Sequence, residues 1–132
     1  MDGFDELDRL TAALAAERDV QVAVAFGSVA RREARFDSDV DVAVLTDRPL
    51  TSERRSSLME LVATVTGRAV DLVDLRAAGV PLLRSALVQG RVLVRKDEAA
   101  YARLVARMVA DAEDFLPLQQ RLLRERRERW IR

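Results

Sequence analysis

The chain contains neither cysteine nor histidine in its 132 residues. Without cysteine there are no disulfides and no thiolate metal sites. Without histidine, a Ser-His-Asp triad, a Cys-His pair and the usual zinc sites are all excluded. Lysine and tyrosine are scarce as well: Lys96 is the one lysine and Tyr101 the one tyrosine. Acid–base work therefore falls to carboxylates, Lys96 or Tyr101, and the metal that suits such a chain is a hard, oxygen-seeking cation. No run is long and apolar enough to span a membrane, and the opening MDGFDELDRL is too acidic and too polar for a signal peptide. A cytoplasmic location is the expectation.

What is present reads as one soluble domain over residues 1–132, with 49% hydrophobic and 33% charged residues. Acidic and basic residues balance at 22 each, so bulk charge does not call for nucleic acid, and direct nucleic-acid binding is not expected. The positive charge is almost all arginine, which suits bidentate pairing with carboxylate or phosphate. It gathers in the tail RLLRERRERWIR, which reads as a solvated helix end interleaved with glutamate.

The periodicities alternate. Asp5–Glu17 has Leu7, Leu10 and Leu14 at helical steps. Val20–Phe26 is an apolar strand, and Gly27-Ser28 ends it and opens a short helix through Arg32. Asp39–Leu45 is a second strand, followed by a turn at Asp47-Arg48-Pro49. Thr51-Ser52 caps a helix to Thr66, stopped by Gly67; Ala69–Leu75 is a third strand. A helix opens near Pro81 and runs to Val88, Gly90 closes it, and Arg91–Arg95 is a fourth strand. A C-terminal helical segment, about 97–132, carries an apolar stripe from Tyr101 through Leu104, Val105, Met108 and Val109 to Leu116, with a kink expected at Pro117. Beyond it, Leu118, Leu122, Leu123 and Trp130 suit a partner surface. The fold class is α/β. The brief segment between the first two strands favours a small mixed sheet flanked by helices.

The chemistry concentrates in GSVARREARFDSDVD, from Gly27 to Asp41. Side chains alternate on a strand, so Asp39 and Asp41 share one face while Val40, Val42 and Val44 take the other. Two residues along a strand span roughly 7 Å, and two such carboxylates can converge on one cation or bridge two. Aspartate is depleted from strands, and two like charges side by side are costly without a cation. The third strand offers another carboxylate. Asp71 and Asp74 fall on opposite faces by the period of two; Asp71 is the first choice and Asp74 the reserve. Gly27 permits close approach to a phosphate, a helix from Ser28 aims free N–H groups at it, and Arg31 lies one turn further on, either as a ligand contact or on a solvated face. Neither a P-loop nor a GxGxxG fingerprint is present.

Gly-Ser, ten residues, Asp-x-Asp, then VDLVDL at Val70–Leu75: this order resembles the minimal nucleotidyltransferase (MNT) family of the polymerase-beta-type nucleotidyltransferases. The resemblance implies that fold, with a long C-terminal helix, and a set of roles. Gly27 and Ser28 would hold the triphosphate of ATP. Asp39 and Asp41 would bind magnesium, as two ions, with Asp71 joining them and activating the attacking hydroxyl. It also implies AMP transfer from ATP to a tyrosine of a HEPN-domain ribonuclease toxin, with this chain as its antitoxin. Two other functions fit the same residues: a non-catalytic antitoxin that acts by binding alone, and a small-molecule nucleotidyltransferase. One departure is local: the family commonly has Gly where this chain has Arg32.

Overall fold

The computed structural model describes residues 3–27 and 39–113. The elements run α1 (Gly3–Ala15), β1 (Val20–Phe26), β2 (Val40–Thr46), α2 (Ser52–Thr66), β3 (Val70–Asp74), α3 (Val80–Arg84), β4 (Arg91–Arg95) and α4 (Glu98–Glu113). Between α3 and β4 the helix continues as one π-helical turn, Ser85–Gln89.

The four strands form one sheet in the order β3-β2-β1-β4. β1 is antiparallel to both β2 and β4, and β2 is parallel to β3. The parallel pair needs a crossover, and the 15 residues of α2 supply it. The sheet is mixed, as the short connection between the first two strands implies.

Strand alternation sends two sets of side chains to two cores. On one face Val40, Val42, Val44 and Leu72 pack with Leu7, Leu10 and Leu14 of α1 and with Leu58 and Val62 of α2. On the other, Val22, Val24, Ala43 and Leu45 pack with Leu83, Ala86, Ala100 and Leu104. Helices therefore cover both faces, and the two ends of the strands carry the polar groups.

The helix boundaries follow cap chemistry. Thr51 Oγ1 accepts the N–H of Arg54 at 3.1 Å to open α2, and Gly67, at φ 68°, closes it by donating its N–H to Ala63 O at 2.7 Å. Asp97 Oδ1 accepts the N–H of Ala100 at 3.0 Å to open α4. α1 stops at Ala15 rather than Glu17, because the Glu17 N–H turns back to Leu14 O in a tighter loop. The segment expected as one α-helix to Val88 is α-helical only to Arg84. Gly90 then passes hard against β1: a Cβ there would meet Val24 Cγ1 at 2.7 Å and Ala25 O at 2.8 Å, and would also strike Ala86 O. The expected α4 stripe is only partly core. Leu104 is buried, Tyr101 and Met108 lie against the second core, and Val109 is 50% exposed. Pro117 and the apolar residues beyond it lie outside the described residues.

Arginines fix the elements to one another. Arg54 of α2 donates to both oxygens of Asp19, at 2.8 and 2.7 Å, and to Glu17 at 2.9 Å. Arg68, just before β3, pairs with Glu6 of α1, and both side chains are nearly buried. No helix among the described residues is long and apolar enough to cross a membrane.

Candidate active site

The site is built at the end of the sheet where β1 leaves and β2 and β3 enter. Phe26 pairs with Asp41 across the antiparallel ladder, and Asp41 pairs with Asp71 across the parallel one. In-register neighbours on adjacent strands point to the same face. Asp41 and Asp71 are therefore side by side, and Asp39 stands one residue before β2, on the same alternation. The strand begins at Val40 rather than Asp39, so Asp39 belongs to the approach to the sheet.

The electrostatics follow from that placement. The Asp41 carboxyl is pushed above the ordinary aspartate range, first by burial and then by the charges of Asp71 and Asp39. Asp39 and Asp71 are solvent-exposed. Asp74 takes a different part. In β3 it pairs with Val44, and its Oδ1 accepts the N–H of Arg76 at 3.0 Å, which shapes the turn out of the strand. The geometry brings Asp71, and not Asp74, to the side of Asp41.

Gly27 closes β1 at φ 74°, a left-handed conformation that side chains disfavour. Its backbone also lies directly against the Asp41 carboxylate. A Cβ at this position would collide with Asp41 Oδ2 and come within 3.4 Å of Cγ. The glycine is thus required twice, once for its dihedral and once for space. The sequence shows only the first need. Ser28, Arg31 and Arg32 lie outside the described residues.

The donors at this end are carboxylate oxygens, with no thiolate or imidazole in the chain, which fits Mg2+ in preference to zinc or copper. Among the described residues no three acidic side chains are already gathered at metal-binding distance. That is compatible with Mg2+, which takes one or two carboxylates and completes its shell with water and substrate phosphate.

A second concavity, about 440 Å³, lies at the opposite end of the sheet, between Thr46 and α4. Two of its arginines serve as struts. Arg76 Nη2 donates to Thr46 O at 2.6 Å, and Arg107 donates to Arg76 O at 2.6 Å and Leu75 O at 2.5 Å. The acidic residues and the left-handed glycine converge instead at the other, carboxylate end.

The family described as "Polymerase beta, Nucleotidyltransferase" matches residues 8–99, which include β1, Gly27 and all three aspartates. The chain belongs to this family. Among relatives, it is 33% identical over 85 residues to "Protein adenylyltransferase MntA" of Shewanella oneidensis, covering 63% of this chain and 61% of that protein. The chain thus spans less than two thirds of that curated relative's length. A solved structure assigned to the minimal nucleotidyltransferases is 33% identical over 68% of this chain and 94% of its own, with a TM-score of 0.57. The fold also matches the MNT antitoxin in a complex with a tri-AMPylated HEPN toxin of Shewanella oneidensis. There the TM-score is 0.67 at 22% identity, covering 93% of this chain and 97% of that one. As a member of this family the chain carries the mixed α/β fold expected of it.

Proposed function

We propose that this chain is a magnesium-dependent nucleotidyltransferase. It moves AMP from ATP to a tyrosine hydroxyl of a HEPN-domain toxin, and so acts as that toxin's antitoxin. The observation that carries the reading is the Gly27–Asp41–Asp71 alignment: a left-handed glycine packed on a carboxylate, itself in register with a second carboxylate. Family membership and the likeness to an adenylyltransferase support it.

In this reading Gly27 and Ser28 seat the triphosphate, and Arg31 adds charge to it. Asp39, Asp41 and Asp71 hold Mg2+, which when bound neutralises the phosphates and lowers the cost of ionising the acceptor hydroxyl. The acceptor oxygen attacks the α-phosphorus. A new O–P bond forms, the bond to the β-phosphate breaks, and pyrophosphate leaves on the opposite side. Asp71, nearest the open edge of the sheet, accepts the hydroxyl proton.

The test is intact-mass analysis of a HEPN-domain toxin that binds the chain, incubated with the chain, ATP and Mg2+. The expected result is addition of AMP with loss of ribonuclease activity. A complex that silences the toxin with no added mass establishes the binding-only antitoxin instead. Adenylylation of small hydroxyl compounds without any protein partner establishes the small-molecule enzyme.

A further inference from the structure

Arg54 and Arg55 are neighbours in α2 with opposite situations. Arg54 is saturated by Asp19 and Glu17. Arg55 spends one donor, Nη2, on the outward-facing carbonyl of Leu72, and pairs with no carboxylate among the described residues. That contact holds a guanidinium over the outer edge of β3, the last strand of the sheet. Beside it runs a groove of about 310 Å³, with Asp71 at one end and Ala77, Ala78, Gly79 and Leu82 at the other. Among the described residues, Leu82 is one of few large apolar side chains left exposed, at 37%.

The sheet order gives this groove a direction. Gly27 ends β1, Asp41 lies on β2, Asp71 on β3, and the groove lies beyond β3. In phosphoryl transfer the attacking and leaving oxygens stand on opposite sides of the phosphorus. If the triphosphate rests on the β1 side, pyrophosphate leaves there, and the acceptor must enter from the β3 side. The groove is that entrance, and Asp71 stands at its inner end.

We infer that the Arg55–Leu82 groove is the acceptor-docking surface, an assignment that rests on the function proposed above. It receives a segment of the partner protein that carries an aromatic hydroxyl with a carboxylate close by. The ring side packs on Leu82 and the two alanines, the carboxylate pairs with the free donors of Arg55, and the hydroxyl reaches Asp71. An acidic flank is specified because the guanidinium fork pairs with carboxylate or phosphate, and of the two a protein segment carries the carboxylate. The neighbouring Asp71 and Asp74 disfavour an acidic segment that misses Arg55.

The experiment compares wild type with Arg55→Glu, Arg55→Lys and Leu82→Glu, using a HEPN-domain toxin that binds the chain as acceptor. Three quantities are read: KM for that protein, kcat, and affinity for a non-hydrolysable ATP analogue. The groove predicts that both glutamate variants raise the acceptor KM by about tenfold or more. Arg55→Lys should fall between them and wild type, with analogue affinity unchanged in all three. Loss of analogue affinity in parallel with acceptor KM would make Arg55 a strut of β3 and overturn the inference. So would wild-type acceptor KM in both glutamate variants. A wild-type chain that binds the analogue yet labels no protein overturns the proposed function itself, and this assignment with it.

Discussion

The two ends of the sheet handle negative charge in opposite ways. Where β1 begins and α2 opens, Asp19 and Glu17 are both paired with Arg54, and that guanidinium holds the Asp19 carboxyl below the ordinary range. Where β1 ends and β2 and β3 begin, Asp41 is pushed up by burial and by the nearby charges of Asp71 and Asp39. The chain is not short of cations, since it carries 22 basic residues. Among the described residues it spends them on struts, and none is bonded to Asp39, Asp41 or Asp71. The unpaired end is left in a state that an added cation can relieve, which is what a triphosphate-handling site requires.

The largest expected effect separates the ends by function. Asp41→Asn and Asp39→Asn should each lower AMP transfer by about a hundredfold or more, since each removes an oxygen donor for the cation. Arg54→Ala should leave the transfer rate near wild type. It should instead cost about 1–2 kcal/mol of stability, or roughly 4–7 °C in melting temperature, a figure held down because the pair is partly exposed. An Arg54→Ala chain that melts normally but transfers slowly would reverse the assignment of the two ends.

Two glycines sharpen the contrast. Gly27 and Gly67 both sit at positive φ, but a Cβ on Gly67 meets nothing within 4 Å whereas one on Gly27 strikes Asp41. Both changes to alanine should cost about 1 kcal/mol of backbone strain. Only Gly27→Ala should also displace the Asp41 carboxylate, cutting transfer by about tenfold or more. Equal activity in the two variants, read by the same labelling assay, would remove Gly27 from the site.

The pH responses should run in opposite senses and are smaller. A carboxyl lowered by folding, as at Asp19, stabilises the protein above its unfolded pKa. That stability is lost as pH falls through the lower folded value. A carboxyl raised by folding, as at Asp41, favours the folded state while protonated, and the advantage is lost as pH rises through its raised folded value. Without divalent cation, Arg54→Ala should therefore flatten the loss of stability on acidification below the ordinary aspartate range. Asp41→Asn should remove the component that weakens the fold just above that range. Thermal melts across pH check both.

Much of this was legible in the residues. The strand limits of β1 and β4, the Thr51 and Gly67 caps of α2 and the mixed sheet follow from local periodicity and turn chemistry. These are properties that neighbours in sequence decide. The choice between Asp71 and Asp74 needed the register of β3 on β2, which is a long-range pairing. Gly27 announced a turn, but its contact with Asp41 spans the β1–β2 ladder and has no local signal. Nor does anything local distinguish Arg54 from Arg55. One finds Asp19 and Glu17 in the loop before β1, and the other finds only a carbonyl on β3. The exposure of Val109 has no local signal either: a helical stripe records which face is apolar, not which of its residues find a partner.

The claim that the carboxylate end is an unneutralised cation site is tested most directly by melting temperature during a Mg2+ titration, in wild type and in Asp41→Asn. The account predicts that metal-free Asp41→Asn melts higher than metal-free wild type, by a few degrees. It also predicts that Mg2+ raises the wild type progressively and leaves the variant almost unmoved. A variant that melts below wild type without metal, or that gains as much from Mg2+ as wild type does, would contradict it.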